Sequence, residues 1–197
     1  MKKSKFSVKT IAICAMMFAI TIIMSFTFLG TVPTPFVNAS IAFLPTMVAV
    51  MLIGPAGMLV GVFAGLLSMI RAFTMPMGIL GPYFQNPIIS VFPRAMIGVT
   101  TYFSYRILGK TRVPDVIRVG LSAIIGSMTN TTLVLGLLYI IYARDIMAAA
   151  GDIMPGGVAV WLLGIAASNG LGEVAINAFL VTIVVLGMRK AGLGRED

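Results

Sequence analysis

The chain has 197 residues, of which 59% are hydrophobic and 10% are charged, and its formal net charge is +8. A soluble domain usually carries about 25% charged residues, so a globule of this size could not hide so much apolar surface. Histidine is absent and Cys14 is the single cysteine, which excludes an internal disulfide framework and the usual histidine-based proton transfer. We therefore expect an integral membrane protein that uses no metal and no cofactor.

Six apolar runs follow one another along the chain, and we interpret each as a transmembrane helix, for which about 20 mostly apolar residues are needed. The runs cover residues 10–29, 41–53, 56–71, 88–108, 116–142 and 158–188. The first run is longer than the core of a signal peptide, and further runs follow it. The sequence predicts one all-α membrane domain over residues 1–197, with six transmembrane helices.

The connections between these runs contain the residues that end helices. Loops are predicted at residues 30–40, 72–87, 109–115 and 143–157, with a tight turn at Gly54 and Pro55. Pro93 lies inside the fourth run, where a proline is expected to kink the helix.

The basic residues are divided unequally between the two sides of the predicted domain. With six crossings, eleven of them share the side of both termini: Lys2, Lys3, Lys5, Lys9, Arg106, Lys110, Arg112, Arg118, Arg189, Lys190 and Arg195. Only Arg71, Arg94 and Arg144 lie elsewhere. Because cytoplasmic loops are enriched in Lys and Arg, both termini are predicted to be in the cytoplasm.

Small residues recur at intervals of four in three of the runs, and such residues allow helices in lipid to pack closely. They are Gly57, Gly61 and Gly65, then Gly164, Ser168 and Gly172, and finally Ala15 and Ala19. We interpret the two glycine stripes as packing within the chain. The alanine pair fits either internal packing or docking of another membrane subunit.

Arg94 is the most informative residue, because a guanidinium inside an apolar run costs several kcal/mol unless it is paired or hydrated. It could reach the outer surface or pair with Glu173, and otherwise it marks a binding site. Asn130 and Asn169 lie at middle-to-outer depth in two other runs, and each alone could simply bond a neighbouring helix. Together the three predict an outward-facing cavity for an anion, since arginine binds carboxylates bidentately.

Further candidate ligand-binding residues lie toward the outer side of this cavity. Asn38 and Tyr83 belong to the loops predicted to cover its mouth, and Tyr139 lies toward the outer end of the fifth run.

The segments CAMMFA, LIGPAGMLVGVFAG, NPIISVFPRAMIG and NGLGEVAINAFLV, together with six runs in about 200 residues, resemble the substrate-binding S-components of energy-coupling-factor (ECF) vitamin transporters. The resemblance covers essentially the whole chain. It implies a bacterial plasma-membrane protein in which Ala15 and Ala19 dock onto a transmembrane coupling subunit that works with two ATPase subunits. It also implies that spans 4, 5 and 6 supply ligand contacts.

Within that family, the chain is most similar to the pantothenate type, through FPRAMIG and the asparagine of the fifth run. The resemblance implies that Arg94 meets the vitamin carboxylate and that Asn130 meets its polar backbone. Riboflavin, cobalamin and folate S-components share much of the pattern and remain alternatives.

Two other classes of protein are alternatives to this interpretation. An intramembrane protease would need histidine or a second intramembrane acid beside Glu173, so no enzymatic activity is expected. An autonomous ion-coupled transporter could work with one such acid. The chain has no G-x-x-x-x-G-K-[ST] phosphate-binding loop, so ATP-driven transport would depend on partner ATPases.

Overall fold

A computed structural model of the chain describes residues 8–27, 30–32, 39–76, 78–150 and 156–193, with the backbone alone described at 31, 32, 39, 40, 150 and 169. The helices are α1 (Val8–Phe26), α2 (Leu44–Ile53), α3 (Met58–Thr74), α4 (Pro87–Leu108), α5 (Asp115–Ala150), α6 (Gly157–Ile165) and α7 (Leu171–Lys190). Shorter elements are the antiparallel strands β1 (Thr31–Val32) and β2 (Ala39–Ser40), the 3-10 turns Gly54–Gly57 and Gly81–Gln85, and the π-helical turn Ala166–Gly170. The described residues form mainly helices, as predicted, and the strand pair among them lies inside the predicted loop 30–40.

By length and composition alone, four helical stretches of the described residues could cross a membrane: Val8–Phe26, Leu44–Thr74, Asp115–Ala149 and Gly157–Lys190. The second of these contains α2, the turn Gly54–Gly57 and α3, so it is not one straight helix. Helix α4 has 22 residues but is less apolar, because it contains arginines, prolines and hydroxyl side chains. Large apolar side chains cover the surface of the protein; Val8, Ile140 and Leu171 are 83%, 79% and 70% exposed. Lipid is the solvent that such a surface needs, so the chain is an all-α membrane protein. The count of six crossings stays a prediction.

The chain reverses direction at the 3-10 turn Gly54–Gly57, which connects α2 to α3. Gly54 has a φ of 70°, in the left-handed region that glycine adopts without a steric penalty. A Cβ on Gly57 would collide with the backbone of Ala49 and Val50, so the turn folds directly onto α2. The predicted tight turn is therefore present, and α2 and α3 form a hairpin.

Glycines on α3 allow it to lie in backbone contact with its neighbours. A Cβ on Gly61 would be 2.6 Å from the carbonyl oxygen of Arg94 and 2.9 Å from Cγ2 of Thr46. A Cβ on Gly65 would be 2.6 Å from the Cα of Val91. Side chains do not fit at such separations, so this stripe packs within the chain, as predicted, and α3 runs antiparallel to α4.

Helices α5 and α7 also run antiparallel. A Cβ on Gly120, near the start of α5, would lie 3.5 Å from Oγ1 of Thr182 in α7. At the other end of the pair, a Cβ on Gly170 would lie 3.2 Å from Cγ2 of Thr131. The long C-terminal helical stretch is interrupted by the π-helical turn, which places an irregular segment at this level of the bundle. Such single π turns are frequent at functional sites.

One end of the bundle, here called the basic end, gathers the starts of α1 and α5 and the ends of α4 and α7. Lys9 donates from Nζ to a backbone carbonyl just after α7 at 2.6 Å. The carboxylate of Asp115 lies 3.9 Å from Arg118 and 3.5 Å from Arg189. Both guanidinium groups also face the ring of Tyr105, at 3.9 and 5.3 Å from its centroid. The first and last described helices therefore meet at the same end.

Two sequence-based predictions are wrong. Helix α5 continues to Ala150, where a loop over residues 143–157 was expected, because the segment contains good helix formers and no Gly or Pro before residue 151. The second small-residue stripe does not pack against the part of the chain that the structure describes: a Cβ on Gly164 or Gly172 would meet none of those residues within 4 Å. Ser168 between them is exposed and donates to its own helix.

Candidate ligand-binding site

Arg94 uses a hydrogen-bond acceptor that the preceding residue creates. Pro93 lies inside α4 and has no N–H, so the carbonyl of Ile89, four residues earlier, loses its helical donor. Nη1 of Arg94 donates to this carbonyl oxygen at 2.8 Å. The guanidinium is thus held against the N-terminal part of its own helix, and it remains partly accessible although it lies inside α4.

The 3-10 turn Gly81–Gln85 places an aromatic ring beside this guanidinium. The Cζ atom of Arg94 is 5.0 Å from the centroid of the Phe84 ring, within the range of a cation–π interaction. The turn is attached to α4, because the buried Ser90 hydroxyl donates to the carbonyl of Phe84. It is attached to α3 as well, because Gln85 donates from Nε2 to a carbonyl there at 3.3 Å.

The same turn is connected to α5 through two tyrosines and one asparagine. The rings of Tyr83 and Tyr142 are 4.8 Å apart, and Asn86 donates from Nδ2 to the Tyr142 hydroxyl at 3.1 Å. Oδ1 of Asn86 accepts from the N–H of Ile88 and so caps α4. Burial raises the pKa of Tyr83 above its usual value, and Asp145 and Tyr142 raise it further. The phenol is therefore neutral at physiological pH.

Removing the Tyr142 hydroxyl should loosen this connection without removing the ring contact. We expect Tyr142→Phe to lower the stability of the detergent-solubilised protein by about 0.5–1.5 kcal/mol, the net value of a typical hydrogen bond. Thermal unfolding, followed by a signal that does not depend on cysteine labelling, measures this loss of stability. Tyr139→Phe is the matched control, because Tyr139 is 49% exposed on the same helix. Equal shifts in the two variants would contradict the assignment.

Two further polar residues lie in the interior of the bundle. Asn130 of α5 is 7% exposed, and its Oδ1 has no hydrogen-bond partner among the described residues. Glu173 in the first turn of α7 is 8% exposed and interacts electrostatically with Arg94. Helices α5 and α7 therefore each place a polar side chain in the interior of the bundle, and the carboxylate of α7 lies within electrostatic range of the guanidinium of α4.

The remaining candidate residues are placed as follows. Tyr139 lies on the outer face of α5, because nine residues at 100° each separate it from the inward-facing Asn130 by half a turn. Tyr142, rather than Tyr139, contacts the turn that carries Tyr83. Asn38 and the side chain of Asn169 lie outside the described residues. The part of the chain that the structure describes contains no group of three or more His, Cys, Asp or Glu residues that could hold a metal.

Phe84 is a contact of Arg94 that the sequence analysis did not identify. Nothing in its spacing distinguishes it from other aromatic residues, because it reaches Arg94 only through the turn that folds back over α4. A sequence signal did exist for Tyr142, since it follows the buried Val134 and Leu138 at intervals of four.

Helix α1 presents its two candidate docking residues to the outside. Ala15 and Ala19 are exposed, whereas Ile13 and Met17 are 2% and 3% exposed and face the bundle. The alanine pair is thus not used for packing within the described part of the chain. A partner helix could approach α1 closely along this face, because alanine side chains are short.

Comparison with known proteins identifies the family. The model of the family "ECF transporter, substrate-specific component" matches residues 9–185. The chain is also 30% identical, over 207 aligned positions, to the pantothenic acid transporter PanT of Lactococcus lactis subsp. cremoris (strain MG1363). That alignment covers 97% of this chain and 98% of the relative. These matches confirm the family resemblance: the chain belongs to the substrate-specific components of ECF transporters and is a multi-pass protein of the bacterial cell membrane.

Proposed function

We propose that this chain captures pantothenate from outside the cell and presents it to an ATP-driven ECF importer. The observation that carries the proposal is the environment of Arg94, a partly accessible guanidinium within helix α4, held by Ile89 and Phe84. Such a group suits a carboxylate ligand, because both oxygens can accept from its fork. The similarity to a pantothenic acid transporter over 97% of the chain supports this choice of anion.

Within this site, Arg94 would bind the carboxylate and Asn130 would bind the amide and hydroxyl groups of the vitamin. Asn169 in the π-helical turn and Asn38 would add polar contacts, and Tyr83 would cover the outer side. Glu173 would balance the arginine when the site is empty. The chain would bind and release its ligand unchanged, with no covalent chemistry.

We also propose six crossings with both termini in the cytoplasm and a cavity open to the outside. The antiparallel courses of α2, α3, α4, α5 and α7 support alternating crossings, and α1 begins beside the end of α7. The basic end would then face the cytoplasm, in agreement with the positive-inside rule. Arg94 lies seven residues from the start of α4, which is about 10 Å below its outer end at 1.5 Å per residue.

The proposed partners are a transmembrane coupling subunit and two ATPase subunits. Ala15 and Ala19 would form the contact with the coupling subunit, because they are exposed and small. The ATPases would supply the energy, since the chain has no phosphate-binding loop of its own.

Isothermal titration of the purified, detergent-solubilised protein with pantothenate, riboflavin, cobalamin and folate tests the proposal. Saturable one-to-one binding of pantothenate is the expected result. If another vitamin bound instead, the role as a substrate-binding subunit would stand, and the proposed ligand would change to that vitamin. If the folded protein bound none of them, uptake into vesicles that contain this chain alone would test the ion-coupled alternative.

A further inference from the structure

We propose that Phe84 is a positioning residue that orients the Arg94 guanidinium and thereby sets the preference of the site for carboxylate ligands over neutral analogues. The inference rests on the proposed function, in which Arg94 binds the ligand carboxylate. The juxtaposition that carries it is the Phe84 ring, 5.0 Å from the guanidinium carbon.

A free arginine side chain has four flexible torsions, and fixing them on binding would cost affinity. In this protein, besides the electrostatic interaction with Glu173, two contacts restrict the side chain before a ligand arrives. One is the hydrogen bond from Nη1 to the Ile89 carbonyl at 2.8 Å, and the other is the face of the Phe84 ring. The hydrogen bond fixes one arm of the fork, and the ring restricts its plane. The other arm then points in a defined direction.

The ring can perform this role because its own backbone is fixed. The carbonyl of Phe84 accepts from Ser90, whose side chain is fully buried in α4. The next two residues anchor the turn on both sides: Gln85 bonds α3, and Asn86 bonds Tyr142 of α5. Phe84 is therefore not on a free loop; three helices determine where its ring lies.

The chemistry of the ring distinguishes this role from simple packing. An aromatic face attracts a cation through its quadrupole, and an aliphatic side chain of similar size does not. Phe84→Leu keeps most of the apolar volume and removes that attraction. Phe84→Trp keeps it, since tryptophan is the strongest cation–π partner.

The test compares pantothenate with pantothenol, in which a hydroxymethyl group replaces the carboxylate, by titration calorimetry. For Phe84→Leu we expect about a tenfold loss of pantothenate affinity, the size of a desolvated cation–π contact, and no more than about a twofold change for pantothenol, which does not engage the guanidinium as an ion. Phe84→Trp should restore pantothenate binding. Phe92→Leu, the same change at a side chain of α4 that is 49% exposed, should affect neither ligand. Equal losses for both ligands in Phe84→Leu, or no loss, would overturn the proposal.

A second measurement needs no ligand and separates this inference from the proposed function. In protein labelled with ¹⁵N-arginine, the Arg94 side-chain resonance is identified by its absence in Arg94→Lys. A ring-current shift of that resonance is expected in the wild type and should disappear in Phe84→Leu. If the wild type does not bind pantothenate while this shift is present, the ligand assignment fails and the positioning of Arg94 stands. An unchanged resonance in Phe84→Leu overturns the positioning role itself.

Discussion

Arg94→Ala is expected to abolish measurable pantothenate binding. Truncating one partner of a buried, hydrogen-bonded charge pair costs about 2–5 kcal/mol, which corresponds to a loss of about 30-fold to more than 1000-fold in affinity. The ligand carboxylate would enter an apolar region and lose the donors that replace its water. Titration calorimetry on the purified variant measures the effect directly.

Two companion variants make this result interpretable. Arg94→Lys keeps the charge but not the planar fork, so it should bind with intermediate affinity. Arg144→Ala removes an exposed arginine near the end of α5 and should bind like the wild type. Because Arg94 also interacts with Glu173, folding of the alanine variant must be verified by its elution as a monodisperse peak. Wild-type affinity in a folded Arg94→Ala protein would remove the central residue of the proposed site.

Ala19→Trp is expected to stop ATP-driven uptake while leaving ligand binding intact. The exposed alanine face of α1 would allow a partner helix to approach closely, and an indole ring at this position would hold the two helices apart. We expect uptake by cells or proteoliposomes that contain the complete importer to fall by about tenfold or more, because helix association in lipid depends on close packing. Ala15→Trp, one turn earlier on the same face, should lower uptake to a similar extent and also leave ligand binding intact.

The matched control for these variants is Ala175→Trp. Ala175 is also exposed, but it lies on α7 rather than on α1, so the same substitution meets lipid. Its uptake should equal that of the wild type. If Ala19→Trp and Ala15→Trp both supported normal uptake, α1 would not be the docking helix. If they lost ligand binding as well, the alanines would contribute to folding instead.

The apolar runs predicted the helices well because their length and hydropathy are local properties of the chain. The start of α4 is one residue from the predicted position, and the glycines of α3 pack as expected. The extension of α5 beyond residue 142 was missed. Polar residues that follow an apolar run suggest a loop, and the sequence alone does not show that the helix continues past the apolar run. The prediction that Gly164 and Gly172 pack against other described helices was wrong for a related reason. The spacing of small residues defines one face of a helix, but it does not show which neighbour covers that face.

For the candidate site, sequence reasoning identified the residues that are unusual in an apolar run. Arg94 and Asn130 lie inside the bundle, whereas Tyr139 is on its outer surface. The prediction of Tyr139 lacked the phase of the helix, because the buried positions that define the inward face of α5 are known only once its neighbours are placed. Phe84 could not be found, because its contact with Arg94 depends on how the 3-10 turn folds over α4.

The adjacency of Pro93 and Arg94 has a consequence for how such proteins can be recognised. The proline leaves a main-chain carbonyl without its helical donor, within reach of the very next side chain. The helix itself therefore accepts one hydrogen bond from the guanidinium, and an acidic residue on another helix has to compensate less of the cost of burying the charge. A cation stabilised in this way retains donors for an incoming anion. A Pro-Arg dipeptide inside an otherwise apolar stretch is therefore a short marker that can be searched for in uncharacterised membrane proteins, without any overall similarity between the chains.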